Sequence, residues 1–569
     1  MFPVFTSAQW LESRRMRRSP LRRSLFEHSR LGHSPLRHSL LGPSPLLHVA
    51  LLRKSLATSL ILVLTACAVG PDFKRPAAPE VDRYTAVAAP GSTASVEASG
   101  AAVRGGEAQA LLIGQQLPEQ WWQLFGSKKL DALVEAAFAG NPSVDSARAA
   151  LTQAQEVLRA QKGALVPSVD AGLGAQRQKS FLNFGEPSVI GPLNLYHAGV
   201  DVSYGIDFFG AARRTVEAQT ALAEYQHYEL QATYLTLASN VVTASVQEAS
   251  LRAQLEATQA IIAAQENQLQ VSETQYQLGA IAYPQVLTAR SEVAALRASL
   301  PTLQQNLASV QTQLAVYLGK LPMQHQAAEF ALDDLTLPSA VPLGVPSELV
   351  RRRPDVRAAE ALLHKASAEI GVATANLFPK VTLSGSYGGQ SNQLSSVFDN
   401  TVWSVAANIT QPLFHGGSLT AQRRAALAAY DGALADYRQT VLGAFKNVAD
   451  ALQAVIADAE SLKAQREALL AADDSLKLLQ QQYQLGGASF IDLLTAQRQS
   501  QQARINYLQR QASRYQDTAA LMLALGGGWE QDTDPKLRPL QDLPQDRPQD
   551  SQQKISQEAR QEALQEVKE

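Results

Sequence analysis

The sequence predicts an α+β membrane protein made of two tandem copies of one unit, in which amphipathic strands alternate with very long helical hairpins. Three observations predict it. One motif occurs twice, as Tyr276-Gln277-Leu278-Gly279 and Tyr483-Gln484-Leu485-Gly486, followed at equal spacing by Val286-Leu287-Thr288-Ala289 and Leu493-Leu494-Thr495-Ala496. A proline-free helical stretch of 69 residues leads into each copy, Gly210 to Leu278 and Gly417 to Leu485. Four segments alternate apolar and polar residues with period two, the signature of a strand with two unlike faces.

Composition agrees with long helices. Aromatic residues make up 6% and charged residues 18% of the 569, poor material for a compact core. The formal net charge of −2 hides an asymmetry: residues 1–66 hold ten Lys/Arg against Glu12 and Glu27. The remainder is therefore acidic, which argues against a nucleic-acid partner.

Residues 1–66 read as an N-terminal extension and a lipoprotein signal peptide. Ser19-Pro20-Leu21, Ser34-Pro35-Leu36 and Ser44-Pro45-Leu46 form a low-complexity repeat to which no fold is assigned. Val49 to Lys54 already supplies a signal n-region, so translation is expected to begin near Val49. Arg53 and Lys54 precede a short apolar run ending at Ala66, too short for the roughly 20 residues that span a bilayer. Leu64-Thr65-Ala66-Cys67 resembles a bacterial lipobox. That resemblance implies a diacylglycerol and an N-acyl lipid on Cys67, the one cysteine, and Ala68 after it favours the outer membrane.

Residues 67–118, rich in Ala, Gly, Pro and Ser, read as a lipidated linker lying over a surface. The first repeat, 119–320, opens at Trp121-Trp122-Gln123-Leu124-Phe125. A helical pattern from Leu130 to Gln161, broken at Asn141-Pro142, then leads to a strand pair at 168–208. A Pro-rich linker covers 321–345. The second repeat, 346–528, carries a helix and a strand pair at 381–414. After Trp529 the tail, 529–569, is Asp, Gln, Pro and Glu and is expected to be disordered, with 556–568 as a solitary helix.

Val200, Val202, Tyr204 and Ile206 alternate with Asp201, Ser203, Gly205 and Asp207; Trp403, Val405, Ala407 and Ile409 do the same in the second repeat. Such strands suit a transmembrane barrel, but an open sheet edge cannot sit in lipid, so four strands require further copies. Two copies would give eight strands and a filled interior; three would give twelve and room for a channel. Each 69-residue stretch would be about 100 Å long at 1.5 Å per residue. Heptads at Leu255, Ile262, Leu269 and Tyr276, and at Leu462, Leu469, Leu476 and Tyr483, predict antiparallel coiled coils near the tips. The return helix carries core positions at Leu300, Leu303, Leu307, Val310, Leu314 and Tyr317, with a kink expected at Pro301.

Arg352-Arg353-Pro354-Asp355-Val356, Ile370-Gly371-Val372-Ala373, Phe378-Pro379-Lys380-Val381 and Gln411-Pro412-Leu413-Phe414 resemble the outer membrane factor family, the TolC-like efflux lipoproteins. Cys67-Ala68-Val69-Gly70-Pro71-Asp72-Phe73 and Trp121-Trp122 resemble it too, so the likeness covers about 64–528. The resemblance implies a homotrimer with a twelve-stranded outer-membrane β-barrel, four strands per chain, continued by a periplasmic α-helical coiled-coil barrel. It implies partners as well: a periplasmic adaptor protein and an inner-membrane pump, besides outer-membrane lipid.

No enzyme is expected. The histidines after Cys67 are scattered without metal-ligand spacing, and no phosphate loop or nucleophile elbow occurs. No metal and no cofactor beyond the lipid is called for. The functional part is expected at the tips. Ile491, Thr495 and Arg498 lie at i, i+4 and i+7 on one helix face, which by the resemblance lines the periplasmic aperture, though many members carry an acid where this chain has Thr495. Tyr276, Gly279, Tyr483 and Gly486 are the candidate adaptor-docking positions, the tyrosines being heptad residues first. The expected function is an efflux channel for small molecules such as drugs. A protein-secretion duct and a lipid-anchored periplasmic coiled-coil scaffold are the alternatives.

Overall fold

The computed structural model describes residues 68–527 apart from 99–100, 185 and 325–329. Cys67, the signal segment and the C-terminal tail lie outside the described residues. In chain order the elements are β1 (Ala110–Ile113), α1 (Lys128–Gly140), α2 (Pro142–Lys162), β2 (Ser168–Phe184), β3 (Glu186–Ile206), α3 (Ala211–Gln277) and α4 (Tyr283–Tyr317). Then follow β4 (Ala340–Leu343), α5 (Pro346–Arg352), α6 (Pro354–Ala375), β5 (Lys380–Ser391), β6 (Thr401–Thr410), α7 (Ser418–Gln484) and α8 (Phe490–Ala524).

The large sheet is antiparallel in the order β2-β3-β5-β6, so the two hairpins join through β3 and β5. Register sorts the side chains. Ala171, Val200, Tyr387 and Trp403 form one cross-strand row, and Val169, Val202, Gly385 and Val405 another. On the other face run Asp170, Asp201, Ser386 and Ser404, whose last two hydroxyls hydrogen-bond at 2.8 Å. No helix covers the apolar face: Trp403 is 73% and Ile409 72% exposed. Among the described residues β2 and β6 have one strand neighbour each, which leaves their outer edges open.

α3 and α7 each have 67 residues, and each starts after a glycine at φ +81°, Gly210 and Gly417. A left-handed residue at that point lets the chain turn out of the strand into the helix without a Cβ clash. α4 and α8 have 35 residues each; α4 runs through Pro301 as one helix where a kink was expected. All four long helices end alike. Gly279, Gly319, Gly486 and Gly526 have positive φ. Ala280 N donates to Gln275 O at 2.8 Å and Gly487 N to Gln482 O at 2.7 Å, with matching bonds after Leu318 and Leu525: four Schellman motifs. Between α1 and α2, Asn141 accepts from Ser143 N at 2.9 Å ahead of Pro142.

The segments expected to be linkers are packed. β1 and β4, one from each, pair in parallel from Ala110–Ala340 to Ile113–Leu343. Thr93 and Gln109 are buried, and the fully buried Arg514 of α8 donates to Thr93 Oγ1 at 3.0 Å and to the carbonyl of Glu107. Ala- and Gly-rich composition reads as linker, yet small side chains are what let backbone lie against a helix. A Cβ on Gly105 would stand 3.1 Å from the side chains of Gln511 and Tyr515.

The Arg353-Pro354-Asp355 stretch joins the start of α6 to the end of α8. Arg353, 7% exposed, donates from Nη1 to the carbonyl of Ala524 at 2.6 Å and grips Asp355 through Nε and Nη2 at 3.0 and 2.7 Å. Residues 69–75 strap the base of the sheet. Val69 N donates to Phe209 O at 3.0 Å, Arg214 to Asp72 at 2.7 Å and Arg75 to Glu360 at 2.7 Å, while Phe73 stacks on His364 at 4.4 Å. Replacing Arg353 with Gln should lower stability by about 1.5–3 kcal/mol, the worth of a buried charge-assisted bond. Thermal melting of the purified protein reads this out; an unchanged melting temperature would show that the junction does not depend on Arg353.

Candidate functional site

The two hairpin tips meet. Leu269 of α3, Ala289 of α4, Tyr483 of α7 and Phe490 with Leu494 of α8 form one apolar cluster, so each long helix contributes. Each tip is six or fewer residues between helices. The first re-enters helix at Tyr283-Pro284. The second re-enters through a capping box: Ser489 Oγ accepts from Asp492 N at 3.2 Å, and Asp492 Oδ2 accepts from Ser489 N at 3.1 Å and from its hydroxyl at 2.6 Å. These bonds to Ser489 hold the Asp492 carboxyl below the usual carboxylate range.

Of the three residues expected on one face, Ile491 is 70% exposed and Thr495 turns its hydroxyl back to the carbonyl of Ile491 at 2.8 Å. Arg498 alone reaches another element. Its Nε donates to Glu292 Oε2 of α4 at 3.0 Å, and its Nη2 to Glu292 Oε1. This bidentate bond raises the Arg498 pKa and ties the second hairpin to the first. Within the first hairpin, Arg290–Glu273 and Arg297–Glu266 link α4 to α3 at 2.8 and 2.6 Å. In the second, Asp473 accepts from the Ser500 hydroxyl at 2.5 Å.

At the four expected docking positions, Tyr483 is half-buried beside Phe490, and Tyr276 leans on Tyr283 with ring centroids 5.1 Å apart. A Cβ on Gly279 or Gly486 would meet open space. The exposed apolar groups at the tips are instead Leu278, 79% exposed, and Leu485, 87%. Glu292 was missed. Aligning the two repeats sets Ser291-Glu292 against Arg498-Gln499, so both members of the pair stand where the copies differ; that divergence was the available signal.

A second polar feature, also missed, lies farther up the second hairpin. Asp458 of α7, 7% exposed, lies near Asp517 of α8, and its Oδ2 has no hydrogen-bond partner. Burial first, then the bond to Asp517 and the charge of that neighbour, push the Asp458 carboxyl up to about 7, against the opposing charges of Arg510 and Arg514. Among the described residues no cluster of His, Cys, Asp and Glu could hold a metal ion, and no helix is long and apolar enough to cross a membrane.

Between the ordinary carboxylate value near 4 and about 7, the folded chain holds a proton on Asp458 that the unfolded chain releases, so stability falls as pH rises across that window. Asp458→Asn should flatten the dependence and raise stability at pH above about 7, by an amount on the order of 1–3 kcal/mol. Melting curves of both proteins across the window check it; parallel curves would show that the pair does not share a proton.

With this geometry in hand, the chain can be compared with known proteins. A family model described as outer membrane efflux protein matches residues 133–320 and 345–527. The chain is similar to the pyoverdine export outer membrane protein OpmQ of Pseudomonas aeruginosa, 32% identical over 418 residues, which cover 73% of this chain and 88% of that protein. It is similar to the toluene efflux pump outer membrane protein TtgF of Pseudomonas putida, 29% identical over 488 residues, covering 84% and 97%. The solved outer-membrane channel OprN superposes with a TM-score of 0.71 at 30% identity, over 81% of this chain and all of that one.

Proposed function

The chain belongs to the outer membrane efflux protein family, and we propose that it works as a homotrimer whose twelve strands close one barrel and whose helical hairpins continue it as a tube through the periplasm. It is an outer-membrane channel component of an efflux system. One observation carries the trimer: the sheet keeps an apolar face uncovered across four registered strands and leaves an open edge at each side. Lipid tolerates the first and forbids the second. Three copies add the strands needed for a barrel with a lumen, whereas two would fill theirs with side chains. The equal helix lengths and the four equivalent Schellman ends support a tandem duplication. A periplasmic scaffold would have no use for the uncovered apolar face.

The tips are then the gate and the docking end. Arg498 holds the second hairpin against Glu292 of the first, and the face of Ile491, Thr495 and Arg498 lines the aperture. Leu278 and Leu485, presented beside Gly279 and Gly486 and flanked by Tyr276 and Tyr483, offer apolar knobs to a periplasmic adaptor that an inner-membrane pump feeds. The strap at residues 69–75 brings the chain after Cys67 to Phe209 and Gly210, where strand gives way to helix. An acylated Cys67 would there enter the leaflet that the barrel already occupies. OpmQ is named for pyoverdine export and TtgF for toluene efflux; passengers so unlike favour a small-molecule duct whose pump makes the choice.

Single-channel recording tests the reading. Arg498→Ala and Glu292→Gln should each raise resting conductance, and Thr495→Asp should lower it by giving the arginine a second acceptor. No current from the wild-type protein would sink the duct, and three unchanged conductances would move the constriction elsewhere. Cys67→Ala, secreted from a different signal peptide, should lose its lipid and still reach the outer membrane as oligomer. Its absence from that membrane would make the acyl chains part of assembly rather than an added anchor.

A further inference from the structure

We propose that a cavity between the Trp121–Phe125 turn, α1 and α3 is a binding site for a small organic ammonium ion. The cavity holds about 230 Å³, room for roughly eight non-hydrogen atoms at about 30 Å³ each. Its walls are Trp122, Phe138 and Tyr234, with Glu119 and Glu135 beside them. The rings stand nearly square to one another. Trp122 and Phe138 meet at 82° with centroids 5.5 Å apart, and Phe138 and Tyr234 at 87° and 5.0 Å. The three rings pack edge to face along the cavity wall, and an aromatic ring that borders a cavity attracts a cation through its quadrupole.

The charged residues that line the cavity itself are both carboxylates. Among the described residues neither Glu119 nor Glu135 has an ion pair, while Lys129 bonds Asp334 at 3.1 Å and Arg148 lies 3.6 Å from Asp145. Asp131, one turn before Glu135, has its carboxyl raised by burial and then by the charge of Glu135. One cation already uses this wall: the Arg148 guanidinium sits 5.7 Å from the Tyr234 ring centroid. Among the described residues no guanidinium or ammonium stacks on Trp122 or Phe138. Tyr234 stands 42 residues before Tyr276 in α3, about 60 Å of helix from the tip, so the site is separate from the gate and goes beyond the duct reading.

The experiment uses the purified full-length protein in a neutral detergent and two probes of equal size, benzylammonium and benzyl alcohol. Ligand-observed saturation-transfer NMR and the fluorescence of the tryptophans follow binding. Benzylammonium should bind saturably and the alcohol at least about tenfold more weakly; Phe138→Leu and Glu135→Gln should each weaken the cation by about threefold or more. Conductance should be unchanged in both variants, which keeps failure of this site distinguishable from failure of the duct. Glu135 is exposed, so Glu135→Gln leaves the packing intact and gives a reading even if Phe138→Leu disturbs the fold. Equal binding of the two probes, no saturation in the millimolar range, or a Glu135→Gln protein that binds as wild type would overturn the proposal.

Discussion

A backbone amide or carbonyl left unpaired in lipid costs several kcal/mol, and one chain of this protein meets that demand only between its strands. β3 and β5 are paired on both sides, β2 and β6 on one. In the proposed barrel the apolar row from Ala171 to Trp403 would face lipid and the row from Asp170 to Ser404 water, and the register that aligns them is the register that exposes the two edges. The chain leaves the sheet twice in the same manner, through Gly210 and Gly417, because only a residue tolerating positive φ turns out of a strand there without strain.

Below the sheet, two kinds of arginine contact divide the work. Arg353 is buried, bonds a helix-end carbonyl and grips Asp355 with two nitrogens; such a contact is lost only when the junction between α6 and α8 comes apart. Arg498 makes a similar bidentate bond to Glu292 but stands exposed at the tip. Water and salt weaken an exposed pair. A buried joint and an exposed one are thus built from the same chemistry. The first hairpin carries two further Arg–Glu links between its helices, and the second carries the buried Asp458–Asp517 pair instead.

The local features were legible in the residues. Leu-Gly at the four helix ends specified Schellman turns, Ser489 with Asp492 specified a capping box, and period-two alternation specified strands with unlike faces, since each depends on neighbours a few positions away. The position of the two tips was legible through the repeated motif. Their contacts were not: Glu292 lies 206 positions from Arg498, and no periodicity connects them. The segments 67–118 and 321–345 read as linkers for the same reason, because the parallel pairing of β1 with β4 spans the whole first repeat.

By itself, then, the sequence determined the long helices, the four strands of the large sheet and the turns at the tips, and that one motif occurs twice. These follow from spacings of two, four and seven residues and from where glycine and proline stand. Only the tertiary structure decided which side chains meet: the carboxylate that receives Arg498, the approach of Asp517 to the buried Asp458, the aromatic walls around the cavity of the first half. Such meetings depend on how helices about 100 Å long are rotated and shifted against one another, and a small rotation changes every partner without changing a single local signal.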